Sequence, residues 1–221
     1  MDFLDRRTLL RTAALSGIAL GGMSLGGMAF GAGSAAAVTV PTISGCATWG
    51  ARPPADPLTV LPHKPVRILV HHTDTPNSTD YSQAHAYALA RSIQNHHMDD
   101  NHWSDTGQHF TNTRGGFLLE GRHNSLSTLR GGKEIVRAAH CPGQNDIAIG
   151  IENEGNYMTA QPPAKLWNSL VTLCAYVCHQ YSISPNAIQG HRDYSNTDCP
   201  GDVLYKTLPQ LRKDVAAKLG G

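Results

Sequence analysis

Two short apolar runs constrain this chain most. They are "ILV" within "VRILVHH" and "IAIGI" within "NDIAIGIENEG". Both are too brief for a helix of ordinary length, and both end in polar, chemistry-bearing residues. They predict buried strands over Val66–Val70 and Ile147–Asn153. Between and after them, apolar residues recur at helical spacing. Tyr87, Ala90, Ile93 and Gln94 predict a helix from Asp80 to about His97. Leu166, Leu170, Leu173, Cys174 and Val177 predict a second, starting at Pro162-Pro163 and running to about Tyr181. Leu208 to Leu219 reads as a third. The Gly115-Gly116 pair lies between two β-prone runs and predicts a hairpin, and "NAIQGH" reads as a last short strand leading into His191. Strands that alternate with helices make the class α/β, with a central mixed sheet flanked by helices in a single domain. The proline-rich stretch 53–65 reads as a surface connection.

The first 37 residues read as a leader rather than as fold. Arg6 and Arg7 precede a Gly/Ala-rich, weakly apolar run, and Ala35 to Ala37 supply an Ala-x-Ala-like cleavage site. This predicts a twin-arginine signal peptide over 1–37, a secreted domain over 38–221, and no stable membrane span once the signal is removed. The leader carries three of the 18 basic and two of the 17 acidic residues, so the remainder holds 15 of each and has no formal net charge. That balance argues against a nucleic-acid partner, and a monomer is expected. Export implies an oxidising compartment, where disulfides persist. The chain has five cysteines, an odd number. With Cys199 set aside as a ligand, Cys46, Cys141, Cys174 and Cys178 are expected to form two bridges of open connectivity.

Twelve histidines are the unusual feature of the composition. His191 and Cys199 stand eight residues apart in "GHRDYSNTDCPG". A catalytic zinc site takes three nitrogen, sulfur or oxygen ligands from the protein and keeps one position open. The "VHHT" at the end of the first strand is the obvious source of the third. Successive strand residues point to opposite faces, so only one of His71 and His72 can serve.

Five segments, in order, resemble one family. They are "TWGARPP", "LVHHTDT", "WSDTGQHF" through "LLEGR", "NDIAIGIENEGNY" and "GHRDYSNTDCPG". The family is that of the peptidoglycan recognition proteins and type 2 N-acetylmuramoyl-L-alanine amidases, and the segments span nearly all of 38–221. The resemblance implies a mixed sheet with helices packed on it. It also implies a zinc (Zn2+) enzyme that cuts the bond between N-acetylmuramic acid and L-alanine in peptidoglycan. Carried over residue by residue, it makes His71, His191 and Cys199 the metal ligands. Two neutral imidazoles and one thiolate would leave such a site at net +1, which suits polarisation of an amide carbonyl.

The same resemblance implies that Glu152, directly after "IGI", is the general base for the attacking water, with Glu154 the second candidate. Thr197 matches a position that holds lysine or threonine, and its hydroxyl or a neighbouring N–H is expected to stabilise the oxyanion. Gln108 departs from the pattern, because catalytic members near the recognition proteins carry tyrosine there. Gln108 donates hydrogen bonds without titrating, so it is read as a substrate-binding residue. The departure keeps open a peptidoglycan-binding module with a structural zinc. Arg122, in "EGR", is expected to meet carboxylates of the stem peptide. His97 is read as structural, and His140 and Asn145 as groove-lining residues without a chemical step.

Overall fold

Among the described residues, 38–220, the computed structural model has eight strands. They are β1 (Ile43–Ser44), β2 (Val60–Leu61), β3 (Arg67–His72), β4 (Phe110–Asn112), β5 (Leu118–Glu120), β6 (Ile135–Val136), β7 (Ala148–Asn153) and β8 (Ile188–Gly190). The helices are α1 (Cys46–Trp49), α2 (Gln83–Asn95), α3 (Ser125–Gly131), α4 (Ala164–Tyr181) and α5 (Asp202–Lys218). The expected leader, 1–37, lies outside the described residues. None of the described helices is long and apolar enough to cross a membrane.

The main sheet has the order β1-β5-β4-β7-β3-β8, and β2 pairs with β6 in a separate ribbon. The two apolar runs become its centre. β3 and β7 run parallel, with Ile68 opposite Ile149, Val70 opposite Ile151 and His71 opposite Glu152. β4 and β8 add parallel neighbours on either side, and β4 with β5 forms the expected antiparallel hairpin. The sheet is therefore mixed, as the sequence predicts.

Alternation along the central strands sorts the two faces. Ile68, Val70, Ile149, Ile151 and Phe110 point to the face covered by α4 and α5, where they form the main core with Leu166, Leu170, Leu173 and Val177. Burying one such leucine is worth about 2 kcal/mol, so the apolar stripe of α4 anchors this layer. Leu69, His71, Gly150 and Glu152 fall on the other face by the same alternation. A cleft opens on that face at the ends of β3 and β7, with His71 and Glu152 in its lining.

α5 starts at Asp202, earlier than Leu208, and runs through Pro209. A proline removes one intrahelical hydrogen bond. Buried Leu204, Leu208, Leu211 and Val215 hold the helix across it, so packing overrides the local breaker. α2 ends close to its expected limit and passes into a π-helical turn over His96–Asp100.

The expected disulfides are overturned. All five cysteines are free. Cys46 packs with Trp49 and Ala86 in one small cluster, and Cys141 with Leu69 and Ala148 in another. Cys174 and Cys178 lie in the main core, one turn apart on α4. Side chains four apart on a helix have Cβ atoms about 5–6 Å apart, beyond the roughly 4 Å that a disulfide spans. The four thiols therefore pack as apolar side chains in three clusters, with Cys174 and Cys178 sharing the main core.

Candidate metal centre and cleft

Three elements bring the predicted ligands together. β3 ends at His71 and His72, and the chain after β8 enters a short 3-10 turn at His191. The loop that follows returns Cys199 to the end of β3, where the His72 N–H donates to its Sγ at 3.4 Å. Ligand atoms of His71, His191 and Cys199 all lie within 4.8 Å of one another. His71 Nδ1 is 3.7 Å from Cys199 Sγ. His72 points to the opposite face, where its Nδ1 accepts from the Tyr157 N–H at 3.3 Å. Strand alternation thus selects the first histidine of the pair.

The donor set fits a zinc ion. Two imidazoles and a thiol suit its ligand preferences. His191 Nε2 is buried without a hydrogen-bond partner, which an isolated imidazole nitrogen does not tolerate cheaply. Burial, then neighbouring His140 and His191, holds the His71 pKa well below its ordinary value, and burial lowers that of His191. Both present neutral lone pairs at neutral pH. Burial pushes the Cys199 thiol up to about 12, so it stays protonated until a cation compensates its charge.

The cluster forms one wall of a cavity of about 240 Å³. Glu152, Gln108, Thr197, His97, Trp103 and His140 share its lining. Glu152 is only partly buried, makes no hydrogen bond among the described residues, and is pushed up to about 7 by desolvation. A carboxylate facing a cleft with its lone pairs free is able to take a proton from a bound molecule. Glu154 does not share this face. β7 ends at Asn153, so alternation stops there. The Glu154 carboxylate is buried and bonded to His85 Nε2 at 2.7 Å and to the Arg114 N–H at 2.7 Å.

Gln108 is buried and gives its Nε2 to Thr111 Oγ1 at 3.0 Å, leaving Oε1 without a partner. Thr197 Oγ1 accepts from the Cys199 N–H at 3.2 Å, which shapes the ligand loop and leaves the hydroxyl proton free to donate. Arg122 lies inside the fold rather than on the cleft wall. The chain turns inward after β5, and its Nη1 donates to the Thr106 carbonyl at 2.7 Å. Asn145 also stays off the wall. Its Oδ1 accepts from the N–H groups of both His140 and Cys141, at 2.8 and 2.9 Å.

The cleft includes His140, expected to line the groove, together with His97, expected to be structural, and Trp103, to which the sequence assigned no role. His97 stacks on Trp103, with ring centroids 4.7 Å apart, and its Nδ1 accepts from the Gly107 N–H. His140 Nδ1 meets His71 Nε2 at 3.0 Å. Trp103 lies in one of the family-like segments, whereas His97 and His140 lie outside them, and their partners are far apart in sequence.

A family profile described as N-acetylmuramoyl-L-alanine amidase matches residues 61–202, which contain the three clustered donors and Glu152. The chain belongs to the type 2 N-acetylmuramoyl-L-alanine amidase and peptidoglycan recognition protein family. Peptidoglycan recognition protein 1 of Bos indicus is 34% identical over 149 residues, 66% of this chain and 73% of that protein. A human N-acetylmuramoyl-L-alanine amidase is 33% identical over 172 residues, which are 76% of this chain but 28% of the human protein. Among solved structures, Drosophila PGRP-LB superposes with a TM-score of 0.66 at 26% identity, covering 76% of this chain and 92% of that one. The amidase LysC of Clostridium intestinale gives 0.60 at 26% identity, covering 82% and 99%. The family thus includes members named as amidases and members named as recognition proteins.

Proposed function

We propose that the protein is a zinc-dependent amidase that hydrolyses the bond between N-acetylmuramic acid and L-alanine in peptidoglycan. One observation carries this reading: Glu152, without a hydrogen bond among the described residues, lines the same cleft as His71, His191 and Cys199. A module that only bound its ligand would have no use for a desolvated, unpartnered carboxylate beside a metal centre, since such a group costs stability. A Drosophila PGRP-LB variant has been solved with tracheal cytotoxin, which supports a muropeptide as the substrate class.

His71, His191 and Cys199 would hold the ion, which when bound supplies Lewis-acid polarisation of the amide carbonyl and lowers the pKa of water. Glu152 takes the proton of the attacking water and delivers it to the leaving L-alanine nitrogen. The Thr197 hydroxyl, whose proton is free, donates to the oxygen that gains charge, and Gln108, with its Nε2 held by Thr111, lines the substrate side of the cleft. Trp103, with His97 tilted against it, offers an aromatic wall against which a sugar or peptide packs. The twin-arginine leader expected over 1–37 supports action outside the cytoplasm, on the wall itself.

The second reading, a binding module with a structural zinc, rests on Gln108 in place of a titratable tyrosine. Mass spectrometry of a muramoyl-pentapeptide incubated with the protein, with and without a chelator, separates the two. Release of a peptide with a new L-alanine amine, abolished by the chelator, supports the amidase. Intact substrate in the presence of bound zinc supports the module.

A further inference from the structure

We propose that His140 is a positioning residue for the metal centre: it fixes which nitrogen of His71 carries the proton, and so turns the bare Nδ1 toward His191 and Cys199. This inference rests on the metal reading above.

The argument is a chain of forced hydrogen-bond roles. His140 Nε2 lies 3.2 Å from the Ala148 carbonyl oxygen. A carbonyl only accepts, so that nitrogen carries the proton. A neutral imidazole has one N–H, which leaves His140 Nδ1 with a lone pair. That nitrogen is 3.0 Å from His71 Nε2, which must therefore donate. His71 then has its proton on Nε2 and none on Nδ1. Nδ1 is the nitrogen that faces Cys199 Sγ, at 3.7 Å. One backbone carbonyl of β7 thus determines the tautomer of a ligand on β3, through His140. Histidine ligands whose second nitrogen is held in this way gain both orientation and basicity.

The fold builds a seat for this ring. Gly150 lies beneath it on the same face of β7, and a Cβ there would come within 2.5 Å of His140 Cδ2. No side chain leaves room for the imidazole at that distance. Asn145 Oδ1 holds the backbone of His140 and Cys141. His109 stands edge-on at 5.6 Å and is itself fixed, with Nδ1 accepting from the Gly150 N–H and Nε2 donating to the Val136 carbonyl. The ring is held from below, from behind and along its own backbone.

The test uses the metal-stripped protein with 15N-labelled histidines. Two-bond proton–nitrogen correlations are expected to show His71 protonated on Nε2. His140→Phe keeps the ring volume over Gly150 but has no acceptor. It is expected to give a mixed His71 tautomer and zinc binding weaker by about 10- to 100-fold, read by competition with a chromophoric chelator. His140→Asn, whose amide oxygen can take the place of Nδ1, is expected to restore most of both. Gly150→Ala, which displaces the ring without altering its chemistry, is expected to behave like His140→Phe. Wild-type His71 protonated on Nδ1 overturns the proposal, and so does a His140→Phe protein with unchanged tautomer and zinc affinity. If His140→Phe does not fold, the wild-type spectrum and His140→Asn still decide. A wild-type protein that takes up no zinc, yet carries the His71 proton on Nε2, sinks the metal reading while supporting the relay.

Discussion

His71 and Glu152 stand directly opposite one another on the parallel strands β3 and β7, and their side chains emerge on the same face of the sheet. One is a donor of the candidate metal centre and the other is the unpartnered carboxylate of the cleft. The register of two strands, set by their apolar residues on the far face, therefore fixes the spacing between a candidate ligand and the proposed base.

Replacing that base separates chemistry from metal binding. Glu152→Gln is expected to lower kcat by about 10²- to 10⁴-fold, with zinc content unchanged. Glu152 acts as a base only when ionised, and burial pushes it up to about 7. The wild-type rate should fall on the acidic side of a limb at or below that value, since a cation nearby lowers it. A Glu152→Gln enzyme with wild-type turnover and full zinc would remove Glu152 from the mechanism.

The same carboxyl should make the metal-free protein less stable at high pH. Its folded pKa lies above the ordinary 4.5, so the folded state holds the proton more tightly than the unfolded chain. Stability from this group is full below about 4.5 and is lost as pH rises through about 7. In chelator, Glu152→Gln is therefore expected to raise stability at pH 8 by at most about 3 kcal/mol, and to match wild type near pH 4. Urea unfolding at the two pH values checks this; equal effects at both would refute the desolvation account.

Zinc uptake should release a proton from Cys199. Its thiol is pushed up to about 12 by burial, whereas His71 and His191 are already biased to the neutral form. Calorimetry in buffers of different ionisation enthalpy is expected to show that Cys199→Ala releases about one proton fewer per ion than wild type and binds far more weakly. The same proton count in both proteins would place the thiol outside the centre.

Thiol titration tests the cysteine assignment. Cys46, Cys141, Cys174 and Cys178 are buried, and burial raises the pKa of Cys46, Cys174 and Cys178. In the native protein these four are expected to resist a thiol reagent. In urea without reductant, all five should react. A count of one would restore the two bridges that export had suggested.

The sequence by itself determined what depends on local order. The apolar runs of β3 and β7, the stripe of α4 and the Gly115-Gly116 hairpin each carry their periodicity within a few residues, so each was legible. Alternation along β3 already showed that only one of His71 and His72 could be a ligand, and the resemblance of the five segments pointed to His71, His191, Cys199 and Glu152. The two-residue strands β1, β2 and β6 have no periodicity to read. The path of α5 through Pro209 depends on Leu204, Leu208 and Leu211 meeting a core supplied by distant strands. Tertiary structure alone decided that Arg122 turns inward, that Glu154 is consumed by His85 and Arg114, and that the four buried cysteines are spread over three clusters with no two of them bridged. It alone brought His140 onto His71 across 69 residues of chain. Hydrogen bonds and thiol pairings are short-ranged, so their partners are settled only when the whole sheet has chosen its register.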